Sequence, residues 1–176
     1  MMSEIVKVIP ELDKIKLTDL EGMGLDERTN VVARNYILNK QPHAPWLKKH
    51  PIYGNQYLPI DKVEWLLTVL FGKWKVEVKE VKQIANSMQC TIRLYYWNNF
   101  NNEYDWQDGV GASPMQQDSG GGALKPNGVM LATPIAKTNA IKDAADTIGR
   151  VFGRDLNRKD LIGYEGEVEK FKDLTK

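Results

Sequence analysis

Apolar and polar residues alternate most cleanly in the middle of the chain, where Trp74, Val76 and Val78 are interleaved with Lys75, Glu77 and Lys79. Successive side chains of a strand point to opposite faces, so this period of two predicts a half-buried strand. Met88, Cys90, Ile92, Leu94 and Tyr96 repeat the alternation and predict a second strand. The stretch from Asn98 to Asn102 reads as a turn, and Glu103 to Gly111 as a third strand, poorer in aliphatics. Connections this short predict an antiparallel meander.

Helical spacing brackets the meander. Asp26 to Asn39 predicts a helix with Asp26 as N-cap and Val31, Val32, Ile37 and Leu38 to bury. Asp61 to Phe71 predicts a short helix capped by Asp61 and stopped by Gly72, with Val63, Leu66, Leu67 and Leu70 as its apolar stripe. A long helix is expected from Pro134 to Arg154, with Thr133 as N-cap and proline at the first helical position. Its stripe is Ile141, Ala144, Ala145, Ile148, Val151 and Phe152, small enough for the helix to lie very close to a sheet.

These elements predict an α+β fold with a β-β-β-α core, in which a three-stranded antiparallel sheet is crossed by a long helix, preceded by an N-terminal helical segment. Residues 1–25 read as a flexible arm, 26–160 as the core domain and 161–176 as a charged tail. Val168, Phe171 and Leu174 in the tail allow one more amphipathic turn. Within the core, 112–131 is rich in Ser, Pro, Gln, Gly and Asn and predicts a mobile loop. Prolines at 42, 45 and 51 predict an extended, exposed path that carries Lys48, Lys49 and His50.

Composition narrows the function classes. A chain of 176 residues suits one ordinary domain, and 42% hydrophobic content with five Trp and seven Tyr can build a core. The formal net charge of +1 provides no overall basic field, so any nucleic-acid site must be a local groove of Lys and Arg. One cysteine, Cys90, excludes an internal disulfide framework and a multi-cysteine zinc site. The N-terminal residues do not form a signal peptide, and no apolar run approaches the ~20 residues of a membrane span. A reducing, cytoplasmic location without membrane partners is expected.

Catalytic constellations are sparse. The triple glycine at 120–122 lacks a following Gly-Lys-Ser/Thr, Ser113 and Ser119 lack the context of a nucleophile elbow, and His43 and His50 have no paired Cys or Asp nearby. Glu103, Asp105, Asp108 and Asp118 could hold a divalent cation for phosphodiester cleavage, although strand alternation puts Asp108 opposite Glu103 and Asp105. Binding chemistry is better supplied. Lys48, Lys49, Tyr57, Lys62, Arg93, Lys137, Lys142, Arg150 and Arg154 could gather into a groove where phosphates displace counterions and a tyrosine stacks on a base. Arg93 shares a strand face with Thr91 and Tyr95, and Lys142 and Arg150, on one helix, would lie roughly 80° apart around its axis.

Three motifs resemble the single-strand annealing proteins of the Rad-fifty-two type, whose distant kin are the phage proteins Redβ and RecT. The first is Tyr57-Leu-Pro-Ile-Asp-Lys62-Val63, followed by Phe71-Gly72 and Trp74; the second is Thr91-Ile-Arg93-Leu with Asp108-Gly-Val-Gly111; the third is Gly149-Arg150-Val-Phe152-Gly153 at the end of the long helix. Together they span Tyr57 to Arg158. The resemblance implies a β-β-β-α core that assembles into rings or helical filaments and binds single-stranded DNA between sheet and helix, with no cofactor. It implies DNA contacts at Tyr57 and Arg150 and a basic strand position at Arg93. Where the family helix carries an adjacent Lys-Arg pair, this chain has Asp146-Thr147, so Lys137, Lys142 or Arg154 must substitute. Lys48 and Lys49 lie near another basic contact of the family. The expected function is single-strand DNA binding and annealing in recombination and repair, phage-encoded, by a homo-oligomer working with an exonuclease or a single-strand-binding protein. A non-annealing coating protein and a small metal-dependent nuclease are the alternatives.

Overall fold

A computed structural model describes residues 16–19, 31–51, 54–99, 101–118 and 122–158. The meander is present as β3 (Trp74–Ile84), β4 (Ser87–Asn98) and β5 (Glu103–Pro114), antiparallel in the order β3-β4-β5. Helix α1 (Val31–Asn39), a two-residue ribbon of β1 (Lys48–Lys49) with β2 (Gln56–Tyr57), and α2 (Ile60–Phe71) precede it. The long helix α3 (Gly128–Ile148) follows and lies across β5 and β4. The fold is therefore α+β, a three-stranded antiparallel sheet crossed by a long helix.

Alternation makes β4 the centre of the core. Met88, Cys90, Ile92 and Leu94 are buried toward α2 and α3, while Gln89, Thr91, Arg93 and Tyr95 face the other way. Val63, Leu66, Leu67 and Leu70 of α2 are buried with them, and Gly72, at φ 69°, ends that helix in a backbone conformation that favours glycine. Pro59 rather than Asp61 stands at the N-cap of α2. Leu17 also enters the core from a 3-10 turn at Leu17–Asp19, so this part of the expected arm is anchored. The expected cap Asp26 and the tail 161–176 lie outside the described residues, as do the side chains of Val31 and Val32.

The long helix differs from expectation at both ends. It starts at Gly128, so Thr133 and Pro134 are inside it rather than at its cap. The Thr133 hydroxyl donates to the Val129 carbonyl, and Pro134 is exposed, where its lack of an N–H removes one helical bond without burying an orphan group. The helix closes at Ile148; Gly149 is extended, and Arg150–Phe152 form a separate 3-10 turn. The 80° relation between Lys142 and Arg150 therefore does not hold. The expected loop at 112–131 shrinks at both ends. β5 runs to Pro114, Met115 is buried and donates its N–H to Asn86, and Gln117 pairs with Leu124 before α3 begins.

Two glycines decide how close α3 comes. A Cβ at Gly109 would come within 2.8 Å of the Ala144 Cβ, and one at Gly111 within 2.7 Å of the Asn139 carbonyl carbon. Ala136, Ala140 and Ala144, all buried, fill the helix side of this seam. From there α3 also covers the open edge of β5. The Asp143 carboxylate accepts the Val110 N–H at 3.0 Å, and the Asn139 amide donates to the Ala112 carbonyl at 2.9 Å. Edge-strand groups that would otherwise invite another strand are thereby occupied.

Candidate nucleic-acid interface

A groove runs between the β1–β2 ribbon and the flank of α3. One part, of about 440 Å³, is lined by His50, Asn55, Tyr57, Ile135, Asn139 and Lys142. A contiguous part, of about 360 Å³, shares Tyr57, Asn139 and Lys142 and continues past Asp143, Asp146 and Gly153. The ribbon is held in place by Asn157, whose side chain accepts from the Gln56 N–H at 2.9 Å and donates to the Gln56 carbonyl at 2.8 Å. That pair of bonds imitates one rung of a β-ladder and fixes Tyr57 next in line.

The centre of the groove is the stack of Lys142 on Tyr57, with the ammonium 5.1 Å from the ring centroid. Partial burial holds the Lys142 pKa below its ordinary value, against the pull of the Asp146 carboxylate. Lys48 is directly opposite Tyr57 in the ribbon, and directly opposite residues share a face. Tyr57 and Lys142 thus meet in the groove, with Lys48 paired to Tyr57 on the ribbon but outside the groove lining, while Lys49 pairs with Gln56 on the alternate face.

The other expected cations are placed elsewhere. Lys62, on α2, stands over the Trp46 ring at 5.6 Å. Lys137 is exposed on α3, five residues and about 140° around the axis from Lys142. Burial raises the pKa of the Cys90 thiol, and the Lys137 charge opposes that rise. Arg93 is on the sheet face away from α3, bound bidentately to Asp108 at 2.7 and 2.9 Å.

Arg150 and Arg154 have structural partners. Arg150 pairs with Asp155 at 3.1 Å, and the two side chains are only 15% and 11% exposed. Arg154 donates to the Asp146 and Thr147 carbonyls, where a cation satisfies the last acceptors of α3. Neither is in the groove lining. Asp146 and Thr147, which replace the expected basic pair, are close by. Burial, followed by the Asp143 carboxylate, pushes the Asp146 pKa up to about 7 despite Arg154 and Lys142 nearby.

Asp105 accepts from Asn98 at 2.7 Å on one face of β5, and Asp108 is occupied by Arg93 on the other. Among the described residues no group of three or more His, Cys, Asp or Glu is placed to hold a metal ion, and no helix is long and apolar enough to cross a membrane. His50, Asn139 and Asn157 are groove residues that sequence reading did not select. Their side chains carry no charge pattern, and only the fold brings them together. No protein-family model and no curated protein matches the chain.

Proposed function

We propose that the chain binds single-stranded DNA in the groove between the β1–β2 ribbon and α3, and anneals complementary strands as a homo-oligomeric ring or filament of the Rad-fifty-two type. The observation that carries this reading is the stacking of Lys142 on Tyr57 at 5.1 Å inside the groove, with Lys48 opposite Tyr57 on the ribbon at its margin. In this mechanism Lys48 and Lys142 neutralise backbone phosphates and release counterions, while Tyr57 supports one base. The groove is open along one side, so neighbouring bases stay available to a complement. Annealing of this kind needs no cofactor and no covalent step.

Assembly is supported by exposed apolar side chains on two unlike elements. Val78 and Val81 share one face of β3, and Val129 and Met130 are exposed in the first turn of α3. Two different surfaces that meet head to tail generate rings or open filaments. The proposed setting is recombination and repair in a reducing cytoplasm, with an exonuclease or a single-strand-binding protein as partner. The test mixes complementary labelled oligonucleotides with the protein. Accelerated pairing that is lost in Tyr57→Ala and Lys142→Gln supports the reading. Tight binding without acceleration would make it a coating protein, and no binding at low salt would exclude both.

A further inference from the structure

We propose that the sheet face away from α3 is a second nucleic-acid surface, one that holds the unpaired bases of a single strand by stacking. The strand registers arrange this face in rows. Tyr95 lies between Lys75 and Trp106, and Arg93 between Glu77 and Asp108. Trp97 is opposite Tyr104 and donates its backbone N–H to the Lys73 carbonyl, which makes Lys73, Trp97 and Tyr104 the outermost row. Rows are two residues, or about 7 Å, apart along each strand. The first two rows therefore put a lysine on the β3 side and two aromatic rings on β4 and β5.

Each ring cluster is dressed with a cation. Lys73 stands over Trp97 at 5.3 Å, and Lys75 is 5.0 Å from the Tyr95 ring and 5.1 Å from the Tyr104 ring. The Arg93 guanidinium lies 3.7 Å from the Trp106 centroid, held flat by its two bonds to Asp108. Trp106 is nonetheless 49% exposed and Tyr104 39%. Large, half-exposed rings beside cations suit a ligand that is both flat and anionic. A single strand meets both demands, with phosphates along the Lys73–Lys75 edge and bases over Tyr104 and Trp106. The three acids on this face are already engaged, Asp108 by Arg93, Glu77 by Tyr95 and Lys79, and Glu80 by Lys82.

This surface is on the opposite side of the sheet from the groove, so it does not depend on Tyr57 or Lys142. The test measures binding of a fluorescein-labelled oligothymidylate, and of an abasic oligomer of equal length, to the full chain. Tyr104→Ala with Trp106→Ala is expected to weaken oligothymidylate binding about tenfold, leaving the abasic oligomer unaffected. Trp106→Phe, which keeps a ring and guards against a folding artefact, should retain most of the affinity. Equal losses on both oligomers, or no loss, would overturn the proposal. A changed oligomeric state with unchanged nucleic-acid binding would overturn it too, and would make the face a contact between copies of the chain. A protein that loses binding only in Tyr57→Ala and Lys142→Gln would retain the groove reading and discard this one.

Discussion

Gly111 and Ala140 meet backbone to backbone. The strand of one and the helix of the other are so close that a Cβ on the glycine would sit inside van der Waals distance of the Ala140 amide. Replacing glycine by alanine ordinarily stabilises a protein slightly, through the unfolded chain. Here the added methyl must push α3 off the sheet, and overpacking costs about 1–3 kcal/mol, which outweighs that gain. Gly111→Ala is expected to lower the denaturant midpoint, and Gly109→Ala to do the same. The contrasting variant is Ala140→Gly, which loses stability through helix propensity, by about 1 kcal/mol, and through the loss of a buried methyl, without pushing the helix off the sheet.

Arg150 is predicted to act on stability rather than on DNA affinity. Its ion pair with Asp155 is mostly buried, and Arg158 reaches the same carboxylate at 3.2 Å from a more exposed position. Loss of one partner leaves Asp155 only partly compensated. Arg150→Ala should therefore destabilise the chain by about 1–3 kcal/mol. The salt dependence of single-strand binding should stay unchanged, measured by anisotropy at a temperature where the variant remains folded.

Lys142 is predicted to do the opposite. It stacks on an accessible tyrosine in the groove, so Lys142→Gln should leave the melting temperature nearly unchanged. The log–log salt slope of single-strand binding should flatten by about 0.7 if the ammonium neutralises one phosphate. An unchanged slope would remove Lys142 from the interface. Tyr57→Phe should keep the stacking and the affinity, whereas Tyr57→Ala should lose both.

The sheet was legible in the sequence because one face of β4 is buried and the other is not, which imposes the alternation of Met88, Cys90, Ile92 and Leu94. The small face of α3 was legible too, although its partners Gly109 and Gly111 were not, since a glycine in a strand does not say what approaches it. Thr133-Pro134 misled because it carries the local chemistry of a helix start. Tertiary contact with β5 extends the helix past it to Gly128. Spacing likewise cannot separate a groove cation from one that closes a helix or fills an ion pair. Lys142, Arg150 and Arg154 look alike in sequence, and only packing distinguishes Tyr57, Asp155 and the α3 carbonyls as their partners.

Asp146 predicts the pH dependence of both stability and binding. Its pKa rises from 3.8 to about 7, because burial and Asp143 disfavour its charge more than Lys142 and Arg154 support it. Between those values the folded chain holds a proton that the unfolded chain has released. Stability therefore falls as pH rises across this window, and the full penalty stands above it. Asp146→Asn should be more stable than the parent at about pH 8, by roughly 2 kcal/mol after allowance for solvent screening, with the difference vanishing near pH 4. The same carboxylate lines the groove, so a polyanion favours its protonated form. Single-strand affinity should tighten as pH drops from about 8 to 6, and Asp146→Asn should bind tightly throughout. The comparison is made in a His50→Gln background, because the His50 imidazole lines the same groove. An Asp146→Asn chain whose affinity still rises steeply toward acid in that background would place the responsible group elsewhere.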